Sequence, residues 1–518
     1  MTAEEYEFIV VGSGSAGAIL ANRLSEEASV LLVEAGPLEQ PAAATDPALA
    51  PTLMGSPSDW AYMTTNQAGL FGRSVLMPHG RLVGGSSSIN GLMWTRGDPS
   101  DFDGWAQVGA PGWSYADLVP YFRRVEGYTD GEGTAMGTAG PLSIESRAKH
   151  GINPAAIAFI EAAEQRGHRR LNDFNGPDGI AGAGPIAVNV KDGRRFGARE
   201  AYILPALERQ NLELWADTRV IEVNVEHGRC IGVTLVRDGA TMFVGARREV
   251  ILSASSVESP KLLMLSGIGP EDHLREVGLP VRHSLPGVGG GFHDHVSIAV
   301  PFETAQEVPL TDFPFDAALF FKSRPDWVGT DIEAMCTLRA VVDGEWVGAI
   351  TIRTGLVRPM ARGTIRLQSL DPEVPPLLDP RFLSVETDID RLGRGVRETL
   401  AVAATHPMDQ WVKGPTPNGG LSADMDDHEL HAWLQSHAEA FAHMAGGCRM
   451  GLDENAVVDP ELKVHGLDGL RVVDVSVMPA VPSAHSQAAI MAMAERISDV
   501  ILGRPLEAHQ EETKSPPN

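Results

Sequence analysis

The sequence predicts an α/β protein of two domains. One is built on a parallel sheet; the other is an α+β domain on an antiparallel sheet, and the two are discontinuous in the chain. Three observations predict this. The chain has 518 residues, beyond the size at which a single core usually stops growing. Its opening residues compress strand, glycine-rich turn, helix and second strand into one βαβ unit. Residues from about 300 to 380 are rich in Val, Ile, Thr and Phe between turn residues, which reads as a second sheet.

Each element follows from local pattern. Residues 6–11 are a short apolar run of β-formers, suited to a buried parallel strand. Gly12-Ser13-Gly14-Ser15-Ala16-Gly17 then precedes a helical stretch over 18–25 and a second strand, Val30–Val33, that ends on Glu34. Gly12 permits a tight strand-to-helix turn, Gly14 lets the backbone approach a pyrophosphate, and Gly17 lets helix and strand pack closely. The phosphates then meet the positive end of the helix. Glu34 is placed to accept from ribose hydroxyls, and a carboxylate there disfavours a ribose phosphate, which argues against NADP. The motif does not separate NAD from FAD. Between 212 and 253, short β-like runs broken by His227-Gly228 and Asp238-Gly239 predict an antiparallel meander rejoining the first sheet. Helical patterns at 152–166 and 388–404 flank the second sheet. Residues 36–55, rich in Pro, Ala and Gly, read as an irregular surface excursion, and 469–501 return to strand then helix. Cofactor motifs at both ends imply a Rossmann-like domain from residues 1–150, 200–300 and 450–506. Residues 151–199 and 301–449 form the substrate domain, and 507–518 a flexible tail.

Bulk properties remove several classes. Acidic residues outnumber basic ones, 68 to 42, for a net charge of −26, which repels nucleic acid and anionic membrane surfaces. That charge hints at a neutral or cationic substrate, although overall charge is a poor guide to one pocket. Cys230, Cys336 and Cys448 are odd in number and widely spaced, so neither a disulfide framework nor a metal site is expected, and a reducing, cytoplasmic setting is. The first seven residues have no basic and apolar signal pattern, and no run of 18 apolar residues predicts a membrane span.

Later motifs choose the cofactor. They are Gly80-Arg81-Leu82-Val83-Gly84-Gly85-Ser86-Ser87-Ser88-Ile89-Asn90-Gly91, Gly112-Trp113-Ser114-Tyr115, the run 248–253 leading to 259–269, His443-Met444-Ala445-Gly446-Gly447-Cys448-Arg449-Met450-Gly451, and 471–479. With the first glycine turn, they closely resemble the glucose-methanol-choline (GMC) family of FAD oxidoreductases, almost end to end. The resemblance implies FAD, and it places the cofactor against the glycine turn (Ser13, Ser15 and Ala16 included), Glu34, Ala35, Arg81, Val83, Gly85, Ser86, Asn90, Gly91, Met93, Val220, Asp474, Val475 and Gln487. Asn90 would orient the flavin ring; the plainer alternative is that it caps the segment after it. Val220 would contact adenine through its backbone, and Asp474 would lie near the ribityl and pyrophosphate groups. Some members attach FAD through a His where this chain has Ile89, so the flavin is expected to be non-covalent.

Oxidising an alcohol by hydride transfer leaves a hydroxyl proton to remove, and an imidazole is the natural base. Composition cannot choose among 16 histidines. The resemblance implies His443 as the base and His485, where the family carries His or Asn, as the residue holding the substrate oxygen, with the alcohol carbon against flavin N5. His431 and His437 lack metal-ligand spacing to His443 and read as helix-surface residues. The chain departs from common family patterns at Met444 (usually Pro), Gly447 (Thr), Ser255-Ser256 (Gly-Ala) and His79 (Arg), which puts the shape of the substrate pocket in doubt. Small residues at Ala442 and Gly91 would leave room beside the flavin, and the segment around 313–321 would line or cover the pocket. The expected partners are a small-molecule alcohol and either oxygen or a quinone-type acceptor, in a monomer or homo-oligomer. A hydroxynitrile lyase on the same fold is the alternative, and a fatty-acid photodecarboxylase gives the two histidines no role.

Overall fold

The computed structural model describes residues 4–129, 135–149, 151–176, 179–342 and 345–507. The opening unit is a strand β1 (Glu5–Val11), a helix α1 (Ser15–Leu24) and a strand β2 (Val30–Val33), with β1 and β2 parallel. The helix begins three residues earlier than the pattern predicts, because Gly14 itself takes the extended N-cap conformation. Around this unit grows a seven-stranded sheet with β3 (Leu212–Trp215), β4 (Arg219–Glu226), β5 (Arg229–Arg237) and β6 (Ala240–Leu252), in the order β3-β2-β1-β6-β5-β4. Both hairpin turns are as the sequence predicts: His227-Gly228 and Asp238-Gly239 have positive φ at both positions, the twist that two-residue hairpins prefer. The predicted meander holds for β4 to β6 only. β3 is a parallel edge strand beside β2, since an alternating run of four residues does not reveal its partner.

The long strand β6 joins two regimes. Its first half is antiparallel to β5, and its second half runs parallel to β1 and to Leu470–Val472, which returns from the far end of the chain. Two more helices complete the domain, α2 (Ser255–Leu265) and the closing α3 (Ser486–Leu502). Ile19, Leu20 and Leu24 of α1 and Met491, Met493 and Ile497 of α3 are fully buried, each contributing about 1.5–3 kcal/mol of burial. Arg23 clamps the two helices by a two-pronged pair with the buried Glu495, at 2.7 and 2.9 Å.

The second sheet is antiparallel. Its centre is β7 (Val296–Thr304), β8 (Phe315–Phe321), β9 (Ile332–Val342) and β10 (Glu345–Leu356), in the order β7-β10-β9-β8 between edge strands Val412–Pro415 and Gly182–Pro185. Helices Pro154–Gln165 and Glu386–Ala403 pack against it. β7 starts at Val296, so it crosses the boundary expected at 300/301. The expected single sheet over 300–380 is also two: Gly363–Arg366 pairs instead with Gly290–Phe292 on one side and Leu377–Asp379 on the other. The stretch 36–55 is not irregular. It folds into helical turns Ala42–Thr45 and Pro47–Leu53, capped by Asp46 on the Ala48 amide, with Ala44, Ala50 and Leu53 buried. The tail does not begin at 507, for the Glu507 amide donates to the Tyr121 hydroxyl at 3.0 Å and its carboxylate meets Arg124. Residues 508–518 lie outside the described residues. All three cysteines are free and buried, and no described helix is long and apolar enough to cross a membrane.

Candidate active site

A cavity of about 740 Å³ opens at the carboxyl ends of β1 and β2 and runs to the loops that carry His443 and His485. Of the residues singled out in the sequence, it is lined by Gly12, Gly14, Ser15, Ala16, Glu34, Ala35, Gly85, Ser86, Asn90, Gly91, Met93, Val220, Asp474, Val475, Gln487, His443 and His485. Ser13, Gly17, Arg81 and Val83 do not line it. Ser13 donates from amide and hydroxyl to Glu34, at 3.0 and 2.7 Å. Arg81 is exposed, with its guanidinium over the Trp60 ring, and the Val83 amide donates to Pro37 while its carbonyl serves Gln40 and Ser88.

The glycine turn separates into structural and open positions. Gly12 has φ +97, and a Cβ there would meet the Ser253 carbonyl oxygen at 2.4 Å. A Cβ on Gly17 would sit 1.9 Å from the Gly12 oxygen. At Gly14 a Cβ would meet nothing within 4 Å, and no side chain caps the helix it begins. The first amides of α1 are therefore left for an anion at the cavity wall. On the other side, the loop 84–91 leans so close that a Cβ on Gly85 would be 2.9 Å from the Gly14 Cα. An open helix end, a carboxylate at the end of β2 and a glycine-lined cleft are the features that an adenine dinucleotide fits. Glu34 and Asp474 are both buried, and burial raises both carboxyls despite the hydrogen bonds each accepts. Asp474 takes the Ser255 and Ser476 amides and the Ser259 hydroxyl.

Asn90 does more than cap. Its Oδ1 accepts from the Leu92 amide at 3.0 Å and from Arg195 at 2.6 Å, while its Nδ2 donates to Gln487. The room expected beside Gly91 is occupied, since a Cβ there would meet Phe315 Cζ at 2.8 Å. Pro314 and Phe315 are the members of 313–321 that line the cavity; the remainder of β8 is buried core. Two departures from the family pattern fall at positive φ. Ser255 has φ +92, where Gly is the comfortable residue, and Gly447 has φ +104, where Thr would be strained. Gly447 does not line the cavity, whereas Met444 and His79 do. Burial pushes His79 down to about 4.

At the far end the His443 and His485 rings stand 4.6 Å apart, centroid to centroid, and nearly edge to face, with Phe441 against both. Asp294 fixes the turn that presents His443 by accepting the amides of His443 and Ala442 at 2.7 and 3.1 Å. His443 Nδ1 lies 3.0 Å from His295 Nδ1, which leaves Nε2 for the cavity. Burial first, then His485 and His295, hold His443 well below the ordinary imidazole range. His485 is the N-cap of α3 but makes no capping bond; its Nε2 lies 3.0 Å from Oε1 of the fully buried Glu333, leaving Nδ1 for the cavity. Sequence reasoning missed Asp294, His295, Glu333 and Arg195. Glu333 alone carried a signal, a carboxylate inside an apolar strand, which cannot be buried without a partner. His431 and His437 do lie on a helix surface, on Asp427–His437. Among the described residues no cluster of metal-ligating side chains occurs.

Comparison with known proteins gives the family and the fold. Two family models, both described as GMC oxidoreductase, match residues 6–297 and 359–494. An oxygen-dependent choline dehydrogenase of Sinorhizobium fredii is 36% identical over 531 residues, covering 96% of each chain. The human mitochondrial choline dehydrogenase is 35% identical over 97% of this chain and 90% of its own. Among solved structures, pyridoxine 4-oxidase from Mesorbium loti superposes with a TM-score of 0.91 at 29% identity, over 96% of this chain and 99% of that one.

Proposed function

This chain belongs to the GMC oxidoreductase family, an FAD-dependent oxidoreductase of alcohol-type donors, and from that premise we propose that it oxidises a neutral, largely apolar alcohol to a carbonyl with His443 as the base. The observation that carries the reading is the paired imidazoles at one end of the cavity whose other end is the open helix and Glu34. Bound FAD, held non-covalently because Ile89 offers no attachment, supplies the two-electron acceptor. Gly14, Ser15 and Ala16 would hold its pyrophosphate, Glu34 its ribose, and Asn90 and Gln487 would orient its ring. His443, kept neutral, takes the hydroxyl proton at Nε2 as the alcohol carbon gives up hydride. His485, its Nε2 held on Glu333, presents Nδ1 to the alcohol oxygen and holds it in place as the proton leaves. Two imidazoles this close do not both hold a proton easily, which divides their roles.

The choice of a neutral substrate rests on the wall around the histidines. Outside the residues proposed to hold FAD, the charged side chains that line the cavity are Arg73, Arg353 and Glu439, together with Glu258 and Arg219, which pair at 3.2 Å. Glu439 is paired with Arg353 at 3.0 Å, and Arg73 donates to the Gln435 and Ala438 carbonyls. No carboxylate is left to receive a quaternary ammonium, while Phe315, Met335, Phe441 and Met93 offer apolar and aromatic surface. The relatives named for choline and for pyridoxine thus mark two substrate charges, and this wall suits the uncharged one.

The test is anaerobic mixing of the yellow holoprotein with choline, its uncharged carbon isostere 3,3-dimethylbutan-1-ol, and benzyl alcohol, followed by air. Flavin bleaching by the neutral alcohols at least tenfold more efficiently than by choline supports the reading, and fast recolouring in air identifies an oxidase. Choline as the better reductant overturns the substrate charge. No bleaching by any alcohol overturns the reaction.

A further inference from the structure

Arg195, on the short strand Arg194–Arg195, is 4% exposed and has no acidic partner. Its Nε donates to the Ala44 carbonyl at 2.8 Å, Nη1 to the Ser87 carbonyl at 3.1 Å and to Asn90 Oδ1 at 2.6 Å, and Nη2 to the Asn90 carbonyl at 2.6 Å. Four acceptors on one loop system are met by one side chain, which only the five-donor guanidinium can do. All four acceptors are uncharged. Among the described residues no carboxylate lies within ion-pair distance; the acidic group that acts on it, Glu200, is itself paired with Arg199 at 2.8 Å. A buried cation without a counter-charge is expensive, so the charge invites a use.

We propose that Arg195 is a positioning residue that fixes Asn90 and, by its uncompensated positive charge behind that loop, makes the bound flavin easier to reduce. The inference rests on the reading that the flavin ring lies against Asn90. Arg195 and Leu92 hold the Asn90 oxygen and Gln487 holds its nitrogen, so the amide cannot flip. Ser87, Asn90, Gly91 and Gln487 all line the cavity, which puts the guanidinium one residue behind its wall. Reduction adds two electrons and one proton to the flavin at neutral pH, so the reduced ring carries one more negative charge than the oxidised ring. The alcohol, or dithionite in a titration, is the reductant. A fixed cation nearby favours the more negative form, as oriented charges do wherever charge develops in a water-poor site.

The experiment measures the flavin midpoint potential, by dye equilibration, and the sulfite dissociation constant of wild type, Arg195→Lys and Arg195→Gln holoproteins at pH 6. Sulfite adds at flavin N5 and leaves a negative charge on the ring, and neither measurement uses an alcohol, so the inference can fail while the proposed reaction stands, or the reverse. Arg195→Gln is expected to lower the reduction equilibrium constant at least tenfold, about 30 mV for a two-electron couple, and to weaken sulfite at least tenfold. Arg195→Lys is expected to stay within threefold of wild type. A wild-type potential in Arg195→Gln, or an equal fall in both variants, overturns the proposal. If Arg195→Gln does not retain FAD, the Lys variant is titrated from pH 6 to 10, where a buried ammonium loses its proton. A fall of at least tenfold beyond the wild-type slope supports the charge, and a line parallel to wild type overturns it.

Discussion

Alanine at Gly14 and alanine at Gly17 are three residues apart in one motif and should have opposite consequences. Gly14 has φ −66 and ψ −167, extended backbone that alanine adopts, and its Cβ would meet nothing within 4 Å. The Gly14→Ala apoprotein should therefore unfold at wild-type denaturant concentration or slightly above, since alanine removes about 0.4–1 kcal/mol of unfolded-chain entropy. The methyl points into the cleft where the pyrophosphate is proposed to lie. Losing even one charge-assisted amide bond costs about 1.5–3 kcal/mol, or roughly 10- to 150-fold in FAD affinity. Gly17 reverses the balance. Its Cβ would be 1.9 Å from the Gly12 oxygen, so helix and strand must part by more than 1 Å, and destabilisation of about 3 kcal/mol or more is expected. Urea unfolding of deflavinated proteins and fluorescence titration with FAD read the two effects separately. Wild-type FAD affinity in Gly14→Ala, or a Gly14→Ala apoprotein as unstable as Gly17→Ala, would refute the assignment of the cleft.

Three further outcomes are expected. Because His443 is held well below 6.5, the rate of flavin reduction should lose no activity to its protonation between pH 7 and 6; an acid limb centred near 6.5 would contradict a neutral buried base. Gly91→Ala should drive the Phe315 ring into the cavity and raise KM for bulky alcohols several-fold, and Phe315→Leu in the same chain should restore it; unchanged KM in the single variant would place substrate elsewhere. Stability should fall as the pH drops from 6.5 to 5, because four histidines outweigh three carboxyls. His79 and His295, depressed to about 4 and 3, and His293 and His443, held well below the ordinary imidazole range, stay neutral in the folded chain while the unfolded chain takes up protons around and below 6.5. Each such group removes stability on acidification, at about 1.4 kcal/mol per pH unit. Buried carboxyls act with the opposite sign, because the folded form binds the proton first: Asp294 from about 7, then Asp101 and Asp173 from about 6. The slope of ΔG from urea curves at half-unit steps checks the sign, and a stability that holds level or rises between pH 6.5 and 5 would count against it.

Local features were legible in the sequence and partnerships were not. The glycine turn could be read residue by residue because each glycine answers a contact within one βαβ unit, and the hairpins at His227-Gly228 and Asp238-Gly239 because turn chemistry is local. His443 and His485 could be chosen only through the family resemblance; nothing in the residues around them separates them from 14 other histidines. Their supports were invisible, because Glu333 lies 152 residues from His485 and His295 148 from His443. Strand β3 was misread since a parallel edge strand and a meander strand share one pattern, and 36–55 since Pro and Ala spell short helical turns as readily as a loop. Gly447, which looked like a change to the pocket, answers a backbone conformation instead, whereas Ser255 holds a positive φ that Gly would take more easily and does line the cavity.

The charge of the chain and the charge of the site obey different rules. A formal −26 resides mainly on a solvated surface, where salt screens it within about 8–10 Å. Along the cavity, Glu34 and Asp474 are consumed by hydrogen bonds, Glu439 by Arg353, and Glu258 by Arg219 and Lys261, while Glu333 behind it meets His485. What remains unpaired is positive: the open end of α1, Arg73 at the mouth and Arg195 behind Asn90. Each sits where an electron-rich group is expected, and in low dielectric one such charge outweighs many screened ones at the surface. The proposed preference for a neutral alcohol follows from these fixed charges, since each carboxylate that lines the cavity already has a partner. Burial keeps His443 neutral and paired side chains set the charge along the cavity, so both are decided locally and not by the total charge of the chain.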